Sequence, residues 1–172
     1  GLYPSWWTGV KFDKPILAWA CGLTADKTMN VNQLKLCGKP NTPDTIGTGL
    51  IPRSCFTTDP VLSRGITGAY ASVAVKHVSG DYSTLAFKAY EQGWQKFQGD
   101  SVSFIWLDEE PDDFKVYTEC QARLLATGGA MMITFTPLLG ETELYQSFAR
   151  GGDEDKGFVN MTGDDVLAEP HG

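Results

Sequence analysis

Val102-Ser103-Phe104-Ile105-Trp106-Leu107-Asp108-Glu109-Glu110-Pro111 is a short apolar run that ends in three carboxylates and a proline. Its β-branched and aromatic residues suit a buried strand. Pro111 has no N–H for a sheet ladder and ends the element. Asp108 and Glu109 then stand at the carboxyl end of a buried strand, where open α/β sheets place their ligands. Such an ending has the form of a Walker B element. The first acid of that element holds Mg²⁺, usually through water, and the second orients or deprotonates the attacking water. A solvated acidic loop after an ordinary strand is the competing reading.

The flanking sequence supplies the rest of a sheet. On the carboxyl side, Asp112 and Asp113 open a helix, where acids favour the positive end of the dipole. Phe114, Tyr117, Cys120 and Leu124 form its expected buried stripe, and Gly128-Gly129 ends it. Ala130 to Thr136 reads as the next buried strand, stopped by Pro137. A short helix is expected near 142–149, a charged loop over 151–156, and one more strand over 158–161.

On the amino side, Gly1 to Lys14 is an irregular, aromatic lead-in that packs by its rings. Ile16 to Gly22 is a buried strand. Thr24 caps a helix that reaches about Leu36, with Ala25, Met29 and Leu36 inward and Gly38 as the stop. Residues 39–50 read as a loop, and the prolines at 52 and 60 leave 51–67 unassigned. Tyr70–Val78 and Ser83–Tyr90 form a hairpin around Ser79-Gly80-Asp81. A hairpin within a βα pattern implies a locally antiparallel edge. The alternation of elements gives a layered α/β sheet.

The 172 residues make one domain, and 42% apolar with 20% charged content fits a soluble globular chain. No long apolar segment and no cationic leader is visible. Gly1 is not an initiator methionine, so the chain reads as a piece of something longer. A net charge of −7 argues against a surface that coats nucleic acid indiscriminately. It leaves open a local basic strip, such as one of Lys76, Lys88 and Lys96, or DNA contacts made elsewhere. The four cysteines are scattered without a CxxC pair, which argues against zinc and against a disulfide framework. They read as reduced, mostly core thiols.

Two strand ends then come together. One closes in Asp108-Glu109, and the next, one helix later, in Thr134-Phe135-Thr136-Pro137. A right-handed crossover sets both at one edge of the sheet. A hydroxyl beside an acid pair is the layout of a sensor element in additional-strand P-loop ATPases.

With these residues in view, the chain resembles the large subunit of tailed-phage terminases. The resemblance rests on Gly1 to Trp7, on Tyr90-Glu91-Gln92-Gly93 through Phe97-Gln98-Gly99, on Phe104 through Pro111 and on Thr134 through Gly140. It implies an additional-strand P-loop ATPase fold, mostly parallel, with a β-hairpin insertion. It implies that residues 1–172 are part of an ATPase domain, holding the Walker B and coupling portions. The phosphate-binding loop and the nuclease domain lie outside these residues. The implied function is an ATP-driven motor that moves double-stranded DNA into procapsids, working in a ring with the portal protein and the small terminase subunit. The implied cofactors are ATP and Mg²⁺. The implied location is the host cytoplasm, transiently at the procapsid portal, or a bacterial cytoplasm for a prophage gene. Asp108 matches the magnesium acid, Glu109 the catalytic glutamate, and Thr134 and Thr136 the coupling motif.

One departure concerns charge. Many terminases carry Phe-Arg-Gly where this chain has Phe97-Gln98-Gly99, so an arginine finger must come from elsewhere. The first expected source is the phosphate-binding region outside these residues, acting in cis, and the second is Lys96, on the same segment, acting in trans. Arg53 and Arg64 lie in the unassigned stretch. Competing functions are another additional-strand nucleotide hydrolase, such as a helicase-like domain, and a non-catalytic α/β interaction domain.

Overall fold

The computed structural model describes residues 11–137, 140–150 and 156–159. Residues 11–136 contain a six-stranded sheet built from β1 (Leu17–Gly22), β2 (Val61–Leu62), β3 (Tyr70–Lys76), β4 (Tyr82–Ala89), β5 (Phe104–Asp108) and β6 (Ala130–Thr134). Their order across the sheet is β2-β3-β4-β1-β5-β6. β4, β1, β5 and β6 are parallel neighbours, whereas β2, β3 and β4 pair antiparallel. The expected fold class is therefore observed: an α/β fold on a mostly parallel sheet with an antiparallel hairpin. β2, in the stretch left unassigned, forms the outer edge of that hairpin, with both residues exposed.

Parallel pairing brings four carboxyl ends to one edge. Gly22 pairs with Ala89, Cys21 with Leu107, and Asp108 with Thr134. Side chains at paired positions share a face. Trp19, Cys21, Ile105 and Leu107, all essentially inaccessible, thus line one side of the central strands. Phe97 seals that side, with its ring edge-on to Trp19 at 5.8 Å.

After β1, Thr24 caps a helix as expected, its hydroxyl accepting from Lys27 N–H at 3.2 Å. The helix is not regular. Ala25–Lys27 (α1) passes into a π-turn over Thr28–Gln33 before Leu34–Cys37 (α2), and Gly38 ends it at φ 111°. The wider turn rotates the inward face. Thr28, Met29, Asn32, Gln33 and Cys37 are buried, while Leu34 is exposed. The expected face of Ala25, Met29 and Leu36 is correct only at Met29, because burial here goes to polar side chains. Gln33 is satisfied by donating to Gly68 O at 2.9 Å and accepting from Tyr70 N–H at 2.8 Å. Gly22 is needed beneath this helix: a Cβ there would lie 2.8 Å from Thr28 Oγ1.

The helix α3 (Phe114–Leu125) starts at Asp113, whose carboxylate accepts from Lys115 N–H at 3.0 Å. Tyr117, Cys120 and Leu124 are buried as expected, and Val116 takes the fourth buried place ahead of Phe114. β6 differs from its expectation as a buried strand. Among the described residues it ends the sheet, and Met132 is 45% exposed.

Of the second unit, residues 137–172, α4 (Glu143–Ala149) is capped by the Thr142 hydroxyl. Phe158 and Val159 are described without strand structure. The rest of that expected strand, most of the aromatic lead-in and most of the 151–156 loop lie outside the described residues. No described helix is long and apolar enough to cross a membrane.

Candidate functional site

β5 delivers Asp108 to the sheet edge half-buried, and the chain turns sharply at the next residue. Glu109 has φ 65°, in the left-handed region. For a residue with a side chain this conformation costs on the order of 1–3 kcal/mol and persists only where its surroundings hold it. Both of its peptide groups are held. Glu109 N–H donates to Thr134 O at 2.8 Å, and the Tyr90 hydroxyl donates to Glu109 O at 3.0 Å. The result is a solvent-exposed carboxylate on a pinned backbone, at the end of a buried strand.

Thr134 meets these acids twice. Its carbonyl takes the Glu109 N–H, and its hydroxyl donates to Asp108 Oδ1 at 3.0 Å. The same hydroxyl accepts from Trp106 Nε1 at 2.8 Å. A hydroxyl has one proton to give. The indole N–H can only donate, so it commits that proton to Asp108. The direction of the Trp106–Thr134–Asp108 chain is thereby fixed. Of the four residues the sequence singled out, Asp108, Glu109 and Thr134 come together. Thr136, exposed two residues on, makes no hydrogen bond to either acid.

The segment between β4 and β5 ties the other strand ends to this site. Its first 3₁₀ turn, Tyr90–Gln92, carries the buried Tyr90. Besides Glu109 O, the phenol lies 3.2 Å from Asp108 O and 3.5 Å from Cys21 O. Burial pushes this phenol far above its ordinary pKa, with Cys21, Cys120, Asp108 and Glu109 acting in the same direction. It therefore stays protonated and remains a donor. Glu91 joins the end of β1: its N–H donates to Leu23 O at 3.1 Å and its carboxylate accepts from Ala25 N–H at 2.7 Å. Sequence reading used these residues only as a mark of resemblance. The one signal available was a tyrosine directly after an alternating strand.

The lysines on and beside this segment differ in their surroundings. Lys88 Nζ lies 4.0 Å from the centre of the Trp19 ring and donates to Lys96 O at 2.6 Å. Burial lowers its pKa, with Asp100 opposing. This lysine is thus part of the packing and not of a free basic strip. Lys96 itself is exposed. Gln98 donates to Glu119 Oε1 on α3 at 3.1 Å, and Glu119 pairs with Arg123 at 3.7 Å. Cys21, Cys37 and Cys120 are buried, and Cys55 is partly so.

Among the described residues, no cluster of three or more His, Cys, Asp or Glu side chains could hold a metal ion by itself. A single half-buried carboxylate with one oxygen engaged by Thr134 suits Mg²⁺, which keeps most of its water and binds through one or two carboxylates plus substrate phosphates.

Residues 67–171 match the family model described as Terminase large subunit, T4likevirus-type, N-terminal. Over 171 residues the chain is 30% identical to the terminase large subunit of Salmonella phage P22, a match spanning 94% of this chain and 33% of that protein. In structure it is similar to the large terminase ATPase domain of Thermus phage P74-26. There the TM-score is 0.56 at 17% identity, covering 83% of this chain and 56% of the other. At that identity the likeness speaks to the fold alone. With more than half of its residues within the family model, this chain belongs to the terminase large subunits, in their T4likevirus-type N-terminal region.

Proposed function

We propose that this chain is part of the ATPase motor of a terminase large subunit, which hydrolyses ATP to drive double-stranded DNA into procapsids. Asp108 is the magnesium acid, acting usually through water. Glu109 orients the attacking water, and Thr134 and Thr136 form the coupling motif. The observation that carries this reading is the joining of Asp108 to Thr134 at 3.0 Å, with Glu109 held beside them. Bound Mg²⁺ would supply neutralisation of the charge that develops on the phosphates. The chain's own residues do the positioning. Thr134 fixes the rotamer of Asp108, and the pinned backbone fixes where the Glu109 carboxylate can reach.

The phosphate-binding loop belongs, in this proposal, to a part of the protein outside residues 1–172. Among the described residues β6 is the last strand of the sheet, a position where a strand from that part could pair. The portal protein and the small terminase subunit are the proposed partners, with the motor working as a ring in the host or prophage-bearing cytoplasm. The test is Asp108→Ala in the whole protein. Nucleotide binding should become weaker and lose its dependence on magnesium. An unchanged magnesium requirement removes Asp108 from the role.

A further inference from the structure

Glu109 occupies a backbone conformation that side-chain-bearing residues avoid, so something must hold it there. One restraint comes from within the two-strand acid site, from Thr134 O. The other comes from outside it, from a tyrosine that precedes the acids by 19 positions in the chain. We infer that Tyr90 is a positioning residue for the catalytic step: its hydroxyl holds the Glu109 peptide in the left-handed turn and thereby aims the Glu109 carboxylate. This rests on the reading of Glu109 as the water-orienting acid.

The surroundings of Tyr90 suit that role. Its ring is buried, and it packs at 6.3 Å against Phe97, which is itself fully buried. The phenol cannot swing away without opening that cluster. Its oxygen sits at the meeting point of three carbonyls, from Cys21, Asp108 and Glu109, so it spans the ends of β1 and β5. The next residue, Glu91, fastens the same turn to Leu23 and Ala25. The 3₁₀ turn is therefore anchored on β1 while its tyrosine acts on β5. Any shift of the β1 end relative to β5 passes through this hydroxyl to the carboxylate.

A tyrosine acting in this way affects the chemical step and leaves the capture of Mg-ATP alone. The experiment compares Tyr90→Phe, Phe97→Leu and Glu109→Gln in the whole protein, measuring kcat, KM for Mg-ATP and thermal midpoint. Tyr90→Phe keeps the ring and deletes the donor. Its kcat is expected to fall by roughly 10- to 100-fold, the scale of a small misplacement at a reacting centre, with KM changed by less than about twofold. Phe97→Leu loosens the same cluster with the hydroxyl intact, and should lose clearly less kcat than Tyr90→Phe at a comparable thermal midpoint. If Tyr90→Phe yields no soluble protein, Tyr90→Met, which lacks both ring and donor, is compared with Phe97→Leu at a matched thermal midpoint, and must lose more kcat. An unchanged kcat in Tyr90→Phe overturns the inference, as does an equal loss in Phe97→Leu. In both cases Glu109→Gln remains inactive and the reading of Glu109 stands. Normal turnover in Glu109→Gln overturns that reading and the inference together.

Discussion

The Thr134 hydroxyl donates to Asp108 Oδ1 at 3.0 Å across the β5–β6 pair, while it accepts from the Trp106 indole on its other side. The register places the two residues directly opposite each other. A hydroxyl that could rotate freely would be a poor restraint, and Trp106 removes that freedom. Thr134→Val keeps the shape and deletes both bonds. Loss of an outer partner of a metal-binding carboxylate typically costs 10- to 100-fold. The magnesium concentration that half-saturates ATPase activity in the whole protein should therefore rise on the order of tenfold. Trp106 fluorescence should shift at the same time. An unchanged magnesium dependence would leave Thr134 a purely structural residue.

Charge at the transition state is the subject of a second prediction. An arginine finger contributes on the order of 10³–10⁵ in rate. Gln98 carries no charge, and its amide is turned to Glu119. Gln98→Ala should cost well under a hundredfold in the assembled motor, with the finger supplied from outside Phe97-Gln98-Gly99. The first candidate is the phosphate-binding region acting in cis; Lys96, exposed and with its carbonyl accepting from Lys88, is the second. A hundredfold loss in Gln98→Ala, with assembly intact, would make Gln98 a catalytic group.

Stability should fall at alkaline pH. Burial raises the thiols of Cys37 and Cys120 from 9.0 to about 12, and raises Cys21 and Tyr90 as well. The unfolded chain releases these protons first. The contribution of Cys37 and Cys120 is thus complete below pH 9.0 and is lost as the pH rises through about 12, and the other raised groups act in the same direction. Lys88, lowered by burial, works in the opposite direction as the pH rises towards 10.5. With Tyr70, also raised by burial, five groups against one give a net loss. Thermal midpoints measured across this range should decline, and less steeply in Cys120→Ala. A flat profile would contradict the burial of these groups.

The packing of Phe97 also gives a magnitude. The ring is fully inaccessible, 5.8 Å from Trp19, and beneath Lys88 at 5.6 Å. Phe97→Ala should destabilise the fold by about 3–5 kcal/mol in urea titration. A loss below about 1 kcal/mol would mean that the segment between β4 and β5 is not part of the core.

The acid-bearing strand was legible in sequence because its signals are local: an apolar run, three acids and a proline within ten residues. The Thr24 cap and the opening of α3 at Asp112 and Asp113 were legible for the same reason. The π-turn was not. It buries Thr28, Asn32 and Gln33, and polarity is the usual mark of an exposed face. Gln33 belongs inside because it completes the hydrogen bonds of Gly68 and Tyr70, more than 30 positions away, which no periodicity records. Tyr90 was hidden likewise, since its partners lie on two other strands. The apolar character of β6 was read correctly as sequence and wrongly as burial, because composition does not say which strand ends a sheet.

Glu109, in the proposed function, performs the chemistry at a site organised by β5 and β6. ATP turnover by the whole protein carrying Glu109→Gln, measured alongside its binding of Mg-nucleotide, tests this most directly. The substitution keeps size and hydrogen bonding and removes the base. Turnover is predicted to vanish while binding persists. ATPase rates near those of the unmodified protein would contradict the claim.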